Sequence, residues 1–365
     1  MTRAEKGDKG VEEARRVVKA LMRVGPRLTE ISKATGVPIS TVRYILQRKL
    51  PKLGLSIRAS INYGALGLQR YLVKFKGGYP AHYISRLLDI FGESFYLDYY
   101  TYLMTDKEFL AVFALPPTYE KEFFEFLSTM ESLGLIESPD ICRLTYMRPL
   151  PFMAEFFDFS NGVWAQDWIN RTYARDLPEA PEYPVLRPRI DRIDLIILSE
   201  LQENAAAIKY TEFARRLGVS RQTVSKHFKH VKRLINFYTV FWFPPMNPEL
   251  VISPIIVKTK AEKDSRRVLL SVPFAFNEFR SERGEYYAML LIPNVGLYPT
   301  LKFLHEHVSQ LELEFQDMEY SGKFALQYEL FKEGSWINAF ETAVDRLIQI
   351  IQKKESIGRR LRREP

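Results

Sequence analysis

Residues 220–231 read Ser-Arg-Gln-Thr-Val-Ser-Lys-His-Phe-Lys-His-Val, a run whose side chains could read DNA. At helical spacing Val224, Phe228 and Val231 form one apolar face, which leaves Arg221, Gln222, Ser225, Lys226 and Lys229 on the other. An arginine can donate two hydrogen bonds to guanine O6 and N7, and a glutamine can pair with adenine N6 and N7. Arg221 and Gln222 fall in the first turn, the part of a recognition helix that enters the major groove most deeply. Ser220 and Thr223 suit capping and phosphate contacts, and Lys226 and Lys229 suit phosphates. A second run offers Ser40, Thr41, Arg43, Tyr44, Gln47 and Arg48 around an inward face of Val42, Ile45 and Leu46. It opens with Pro38-Ile39 where the other opens with Ser220-Arg221, so fewer donors for base edges lie at its tip. The second run is therefore expected to read sequence more sharply, and the first to lean on phosphate and shape.

Other chemistry is sparse. His227 and His230 lie three apart on the second reading helix with no carboxylate or thiol partner evident, so no metal is expected there; His230 is placed to touch phosphate and His227 at the core edge. His305 and His307 are two apart on a helix and point to different faces. Cys142 is the only cysteine, which excludes an intrachain disulfide, and its strand-like surroundings mark it as a small buried apolar residue. No Walker A loop, HExxH or nucleophile elbow is present, and no cofactor is expected. The aromatic segment Phe152–Trp168 reads as packing between a helix and the sheets or between the two halves rather than as a ligand pocket. The basic tail Lys353–Arg363, after an amphipathic helix over Phe340–Ile351, is either an arm toward phosphates or a solvated end.

The elements that must position these residues repeat. Leu28–Leu46 aligns on Tyr210–Phe228 without a gap at an offset of 182, with six identities: Thr29/Thr211, Glu30/Glu212, Gly36/Gly218, Val37/Val219, Thr41/Thr223 and Val42/Val224. Each run reads as a helix capped by Thr29 or Thr211, a turn at Gly36 or Gly218 with Val37 or Val219 buried, and a reading helix, from Ile39 to Lys49 in the first. Val11–Val24 and Ile193–Leu201 read as the preceding helices, and β-prone stretches Leu55–Tyr63 and Phe237–Phe243 read as wings. A β-α-β-β-α-β order follows each time: Gln69–Lys76, Ala81–Ile90, Ser94–Met104, Phe109–Leu115, Tyr119–Leu133 and Asp140–Met147, then Ile252–Thr259, Lys263–Ser271, Ala275–Ser281, Tyr286–Ile292, Tyr298–Ser309 and Leu313–Glu319. Phe157…Gly162-Val163-Trp164 resembles Phe331…Gly334-Ser335-Trp336, and Asp176–Arg189, with four prolines, reads as an extended connector.

The expected fold is therefore α+β, a tandem repeat of winged helix-turn-helix and βαββαβ ferredoxin-like domain. Its units are 11–64 and 190–246 (winged helix-turn-helix), 65–150 and 247–330 (ferredoxin-like), 151–189 (a Trp-bearing helix and the proline-rich linker) and 331–365 (a C-terminal helix and basic tail). The net charge of +8 is unevenly spread: Val11–Leu50 has nine Lys/Arg against three Asp/Glu, and Ile190–Leu234 nine against five. Basic charge localised in both reading units and the C-terminal tail is the footprint of a polyanion site. No apolar run reaches the ~18 residues of a membrane span and the first ten residues lack a secretory h-region, so a cytoplasmic protein is expected.

On these residues the chain resembles the Lrp/AsnC (feast/famine) transcription regulators. The resemblance rests on Ile193-Asp194-Leu195-Ile196-Ile197-Leu198-Ser199-Glu200-Leu201, on Leu217-Gly218-Val219-Ser220-Arg221-Gln222-Thr223-Val224, and on Gly284-Glu285-Tyr286-Tyr287. It implies a regulator of archaeal origin that binds double-stranded DNA, with α/β domains that pair and sense a small-molecule effector near Gly284, Glu285 and Tyr286. The family's turn reads Gly-x-x-Asp, and here Tyr287 stands at the Asp position. Duplication implies a pseudo-dimer within one chain, with a homodimer as a further level. An architectural or chromatin protein of low sequence preference is the alternative. Sirohaem decarboxylases share the architecture and occur as fused pairs, but they need histidine and arginine around a tetrapyrrole pocket. The sensor domains offer only His82, His305 and His307, and the recognition helices look intact for DNA, so the expectation is that the chain is not an enzyme.

Overall fold

The computed structural model describes residues 3–170, 173–207, 210–243, 252–340, 342, 343 and 345. α1 (Arg3–Val24), α2 (Leu28–Thr35) and α3 (Ile39–Tyr44) make the first helix-turn-helix unit, and a π segment over Ile45–Lys49 runs into the short α4 (Leu50–Lys52). The reading helix expected to run unbroken to Lys49 thus widens after Tyr44, where the Leu50 N–H bonds to the Ile45 carbonyl. Pro51 explains this: it lacks an N–H and its ring crowds the carbonyl four residues back, so the preceding turn opens to i→i−5 bonding. Gly36 adopts φ 71°, the left-handed turn that a side chain resists. Thr29 is not the cap of α2, because the helix starts a residue earlier with Arg27 at the N-cap.

β1 (Leu55–Ile61) leads to β2 (Gln69–Gly77), α5 (Ala81–Ser94), β3 (Leu97–Leu103), β4 (Glu108–Leu115), α6 (Glu120–Ser132) and β5 (Ile136–Pro149). The segment expected to be a Trp-bearing helix is instead a hairpin of β6 (Phe157–Asp158) and β7 (Val163–Trp164). Its turn is nucleated by Asp158, whose carboxylate accepts from the Ser160 N–H at 2.8 Å and so favours a turn over helix. The second half follows with α7 (Arg192–Asn204), α8 (Tyr210–Leu217), α9 (Arg221–Val231) and β8 (Ile235–Trp242). Thr211 lies inside α8 rather than capping it, and Val219 is half-buried rather than buried. Ser220 does cap α9, accepting from the Thr223 N–H. Next come β9 (Ile252–Lys260), α10 (Lys263–Ser271), β10 (Ala275–Ser281), β11 (Glu285–Pro293), α11 (Leu297–His307) and β12 (Glu312–Lys323), then a hairpin of β13 (Phe331–Lys332) and β14 (Ser335–Trp336). The expected helix from Phe340 and the basic tail fall almost wholly outside the described residues.

The β-α-β-β-α-β order occurs in both halves, giving sheets ordered β3-β4-β2-β5 and β10-β11-β9-β12. They join at both edges, β3 with β12 and β5 with β10, and close an eight-stranded barrel. One face of the strands fills the lumen with Leu72, Leu110, Val112, Leu144, Ile256, Phe279 and Met289. The alternate face, with Tyr71, Val73 and Ala111, belongs to the core under the helices. Cys142 lies in the lumen cluster as the apolar residue expected, its thiol pushed up to about 11 by burial.

The expected wings do not form within their own units. Each unit supplies one strand, and β1 pairs antiparallel with β8 from Leu55↔Trp242 to Ile61↔Ile235. A lone strand has no partner for its backbone groups, and the strand of the other unit provides them. Aromatics stitch the halves further: Trp242 Nε1 donates to the Gly162 carbonyl at 3.2 Å, and Trp336 Nε1 to the Leu66 carbonyl at 2.8 Å. Arg175 is buried and donates all five guanidinium N–H groups to carbonyls of Pro151, Leu270, Val272, Pro273 and Ala275, which ties the chain leaving β5 to the second half.

The proline-rich connector is extended, as expected, but pinned: Glu182 and Val185 donate backbone N–H groups to Thr145 and Gly64. A Cβ on Gly64 would lie 2.7 Å from the Tyr183 carbonyl oxygen, so only glycine admits the connector there. Gly64→Ala is expected to lower the stability of the chain by about 2 kcal/mol in denaturant unfolding. An unchanged midpoint would show that the connector does not press on this site.

Candidate functional site

On both helices most of the side chains assigned to the outer face are exposed. On α9, Val224 and Val231 are buried and Phe228 is half-buried against Tyr210 at 4.3 Å between ring centres, while Arg221, Gln222, Lys226 and Lys229 are exposed. Ser220 is exposed but engaged in the cap; Thr223 and Ser225 are half-buried. On the first unit, Val42, Ile45 and Leu46 are buried, and Ser40, Arg43, Tyr44, Gln47 and Arg48 are exposed beside a half-buried Thr41. The π widening lies under Gln47 and Arg48, so their direction departs from that of a straight helix. The units meet where Arg27 donates to the Tyr210 hydroxyl at 3.4 Å.

His227 and His230 differ from expectation. Neither lacks a carboxylate partner, because both turn inward to Asp194 on α7, at 2.8 Å and 2.9 Å. Phosphate is thus not what His230 Nδ1 faces. Spacing within α9 could not reveal this, since the partner comes from a helix more than thirty residues earlier. His307 bonds to the Phe303 carbonyl and stacks on the Phe303 ring, as a packing residue does.

The turn expected to meet an effector is divided. Gly284 makes the turn at φ 79°. Glu285 is bound to Lys258 at 3.1 Å, and the Lys258 ammonium, with the Tyr287 and Ser281 hydroxyls, holds its carboxyl below the ordinary range against the upward push of burial. Tyr286 points inward, fully buried, and donates to Glu278 at 2.8 Å. The three side chains therefore do not converge on one ligand.

A cavity that sequence reasoning did not locate lies between the β1–β8 ribbon and one mouth of the barrel, enclosing about 1180 Å³ including its open entrance. Its cations are Arg58 from β1, Arg70 from β2, Arg148 from β5 and Lys323 from β12; Asp98 is its carboxylate. Arg70 lies 3.7 Å over the Tyr63 ring and bonds to Glu182 at 2.6 Å, and Arg148 bonds to the fully buried Glu278 at 2.8 Å. Lys323 is paired with Asp98. The Arg58 guanidinium lies 4.3 Å over the Phe241 ring, burial pulls its pKa down, and its Nε, like that of Arg70, has no hydrogen-bond partner among the described residues. Ser60 Oγ and Gln316 Nε2, also lining the cavity, are likewise unpartnered. Buried donors without acceptors are costly, and all of these belong to residues that line the cavity. Among the described residues no histidine lines this cavity. The sole advance signal was the charge of Arg58 in a stretch of alternating apolar residues.

The comparisons with known proteins bear on both features. Residues 190–229 match the AsnC-type helix-turn-helix domain, which covers α7, α8 and most of α9. No curated protein matches the chain. Two solved structures share its architecture: the siroheme decarboxylase NirDL, at 12% identity and a TM-score of 0.55, and the same protein in co-complex with an iron-uroporphyrin III analogue, at 13% and 0.54. Each likeness covers 93% of this chain and 99% of the other. The expectation that the chain is not an enzyme is overturned by these structures. The whole architecture, reading units included, is one on which an enzyme is built, so intact helix-turn-helix units do not argue against catalysis. Among the described residues no helix is long and apolar enough to cross a membrane.

Asp98 anchors the cationic mouth. Burial alone would raise its carboxyl, but Lys323 and Arg70 outweigh that and hold it below the ordinary value of 3.8. A depressed carboxyl stabilises the fold above its unfolded pKa and loses that contribution as pH falls through the folded one. Asp98→Asn is expected to be about 3 kcal/mol less stable than wild type at pH 7, with the gap closing below about pH 4. A gap independent of pH in chemical denaturation would show that Asp98 acts through shape rather than charge.

Proposed function

We propose that the chain is a ligand-responsive transcription regulator that binds double-stranded DNA. Its halves are duplicated copies of one module and act as a pseudo-dimer. The observation that carries this reading is the two-sidedness of both reading helices. Arg221, Gln222, Lys226 and Lys229, like Arg43, Tyr44, Gln47 and Arg48, are free on the outside of helices whose opposite faces are buried. The AsnC-type match on the second unit supports it. With both heads on one chain, no second copy is needed to present two recognition helices, and because the heads differ the site would be asymmetric. A cytoplasmic location accompanies this reading. The central cavity is the better candidate for the effector than the turn at Gly284, since its free donors call for an anionic or carbonyl-bearing ligand.

A second reading is favoured by the same cavity: binding and turnover of a polycarboxylate tetrapyrrole. Arg58, Arg70, Arg148 and Lys323 would hold carboxylates, and the decarboxylase structures share the scaffold. The absence of histidine from the described lining residues means that a proton would have to come from another group, such as Lys323 or a tyrosine.

Selection of bound sequences from a random duplex pool tests the first reading. A regulator is expected to prefer its site by about 10³-fold or more, whereas an architectural protein would show a steep salt dependence and little preference. Arg221→Ala is then expected to reduce discrimination by about 1–3 kcal/mol, and Arg43→Ala to weaken matched and scrambled sites alike. Equal loss of discrimination from both would refute the division of labour. Mixing the full chain with iron-uroporphyrin III tests the second reading: a shifted absorbance band that Arg58→Ala weakens at least tenfold supports it, and an unshifted spectrum removes it.

A further inference from the structure

Asp194 is the third residue of α7 and only 2% exposed, yet its carboxylate faces α9. Oδ1 lies 2.8 Å from His227 Nδ1 and Oδ2 2.9 Å from His230 Nδ1. Asp191 stands beside them, with Oδ1 3.6 Å from His227 Nδ1. The ligating atoms of Asp191, Asp194 and His227 all fall within 4.8 Å of one another. Asp191 and Asp194 also make a reciprocal capping box, each accepting from the other's backbone N–H at 3.0 Å and 3.1 Å. That box accounts for the two carboxylates. It does not account for two histidines, three apart on a reading helix, converging one on each oxygen.

We propose that Asp191, Asp194 and His227, with His230 drawn in from the second oxygen of Asp194, form a binding site for a divalent transition-metal ion, with zinc the best fit. An imidazole nitrogen and two carboxylate oxygens within 4.8 Å of one another are donor types that zinc accepts, and His230 stands beside them on the second oxygen of Asp194. The oxygens can serve because a carboxylate has lone pairs to spare after accepting a backbone N–H. Ligands about 2.0–2.2 Å from the metal stand about 3.3 Å apart, so the present hydrogen-bonded separations need open by only a few tenths of an ångström. A metal-bound Nδ1 carries no proton, so each ligating ring would hold its N–H on Nε2. The ion would clamp α9 to α7 and fix the angle at which Arg221 and Gln222 are offered. The inference goes beyond the DNA-binding reading and does not depend on it, because the site can be loaded and read without DNA.

The test uses the full chain, free of any affinity tag and stripped with a chelator. Titration with cobalt(II) is expected to give visible ligand-field bands that saturate at one equivalent and are bleached by zinc. His227→Gln and His230→Gln should each weaken cobalt binding at least tenfold. Wild-type protein that gives no visible band, or that binds no more tightly than the double variant, overturns the proposal. Should the double variant fail to fold, long-range ¹H–¹⁵N spectra of the wild-type imidazoles decide. Zinc is expected to move both rings from the Nδ1–H to the Nε2–H tautomer, and rings that keep Nδ1–H refute the site.

Discussion

Backbone pairing between the two halves is the constraint on which the rest of this structure depends. Taken alone, each half would end in exposed edges: β3 and β5 in the first sheet, β10 and β12 in the second, and a single unpaired strand, β1 or β8, after each reading unit. All are paired across the halves, β3 with β12, β5 with β10 and β1 with β8. Buried backbone groups must find partners, and a closed barrel abolishes edges altogether. The halves therefore stand as one body, with the Trp-bearing hairpins and the five-fold carbonyl clasp of Arg175 adding side-chain ties to the backbone ones.

The same pairing creates the cavity. The ribbon of β1 and β8 crosses one barrel mouth, and the pairing of β12 with β3 slips between Asp317 and Ser321, which leaves Met318, Ser321 and Lys323 at its wall. Arginines that enter from β1, β2 and β5 would repel one another if left bare. Glu182 from the connector and Glu278 from β10 neutralise Arg70 and Arg148, and leave Arg58 to whatever enters. The site thus draws on both halves and on the segment between them. The ribbon that joins the two helix-turn-helix units is also one wall of this cavity.

The helix-turn-helix units and the cavity need not serve one purpose. Exposed cationic helix tips argue for DNA, and the shared architecture with a decarboxylase shows that the scaffold tolerates catalysis. Fold alone does not choose between them; the side chains at each site do.

Much was legible in the sequence. Periodicity placed the strands and helices of both βαββαβ units, with α10 and β10 matching residue for residue, because alternating and helical burial patterns are local properties. The outward faces of the reading helices followed from the same rule. What sequence could not determine was every feature made by partners distant in the chain. The expected wings became one shared ribbon, since pairing depends on which strand lies nearby, not on β propensity. Asp194 reached His227 and His230 only when α7 packed on α9. Thr29 and Thr211 looked like caps, but both lie inside their helices. Arg58 read as an ordinary strand residue until the ribbon was laid over the barrel and its Nε was left without a partner among the described residues. Sequence determined the elements and their faces; tertiary structure alone decided which charges meet, because burial and charge pairing are properties of the assembled surfaces.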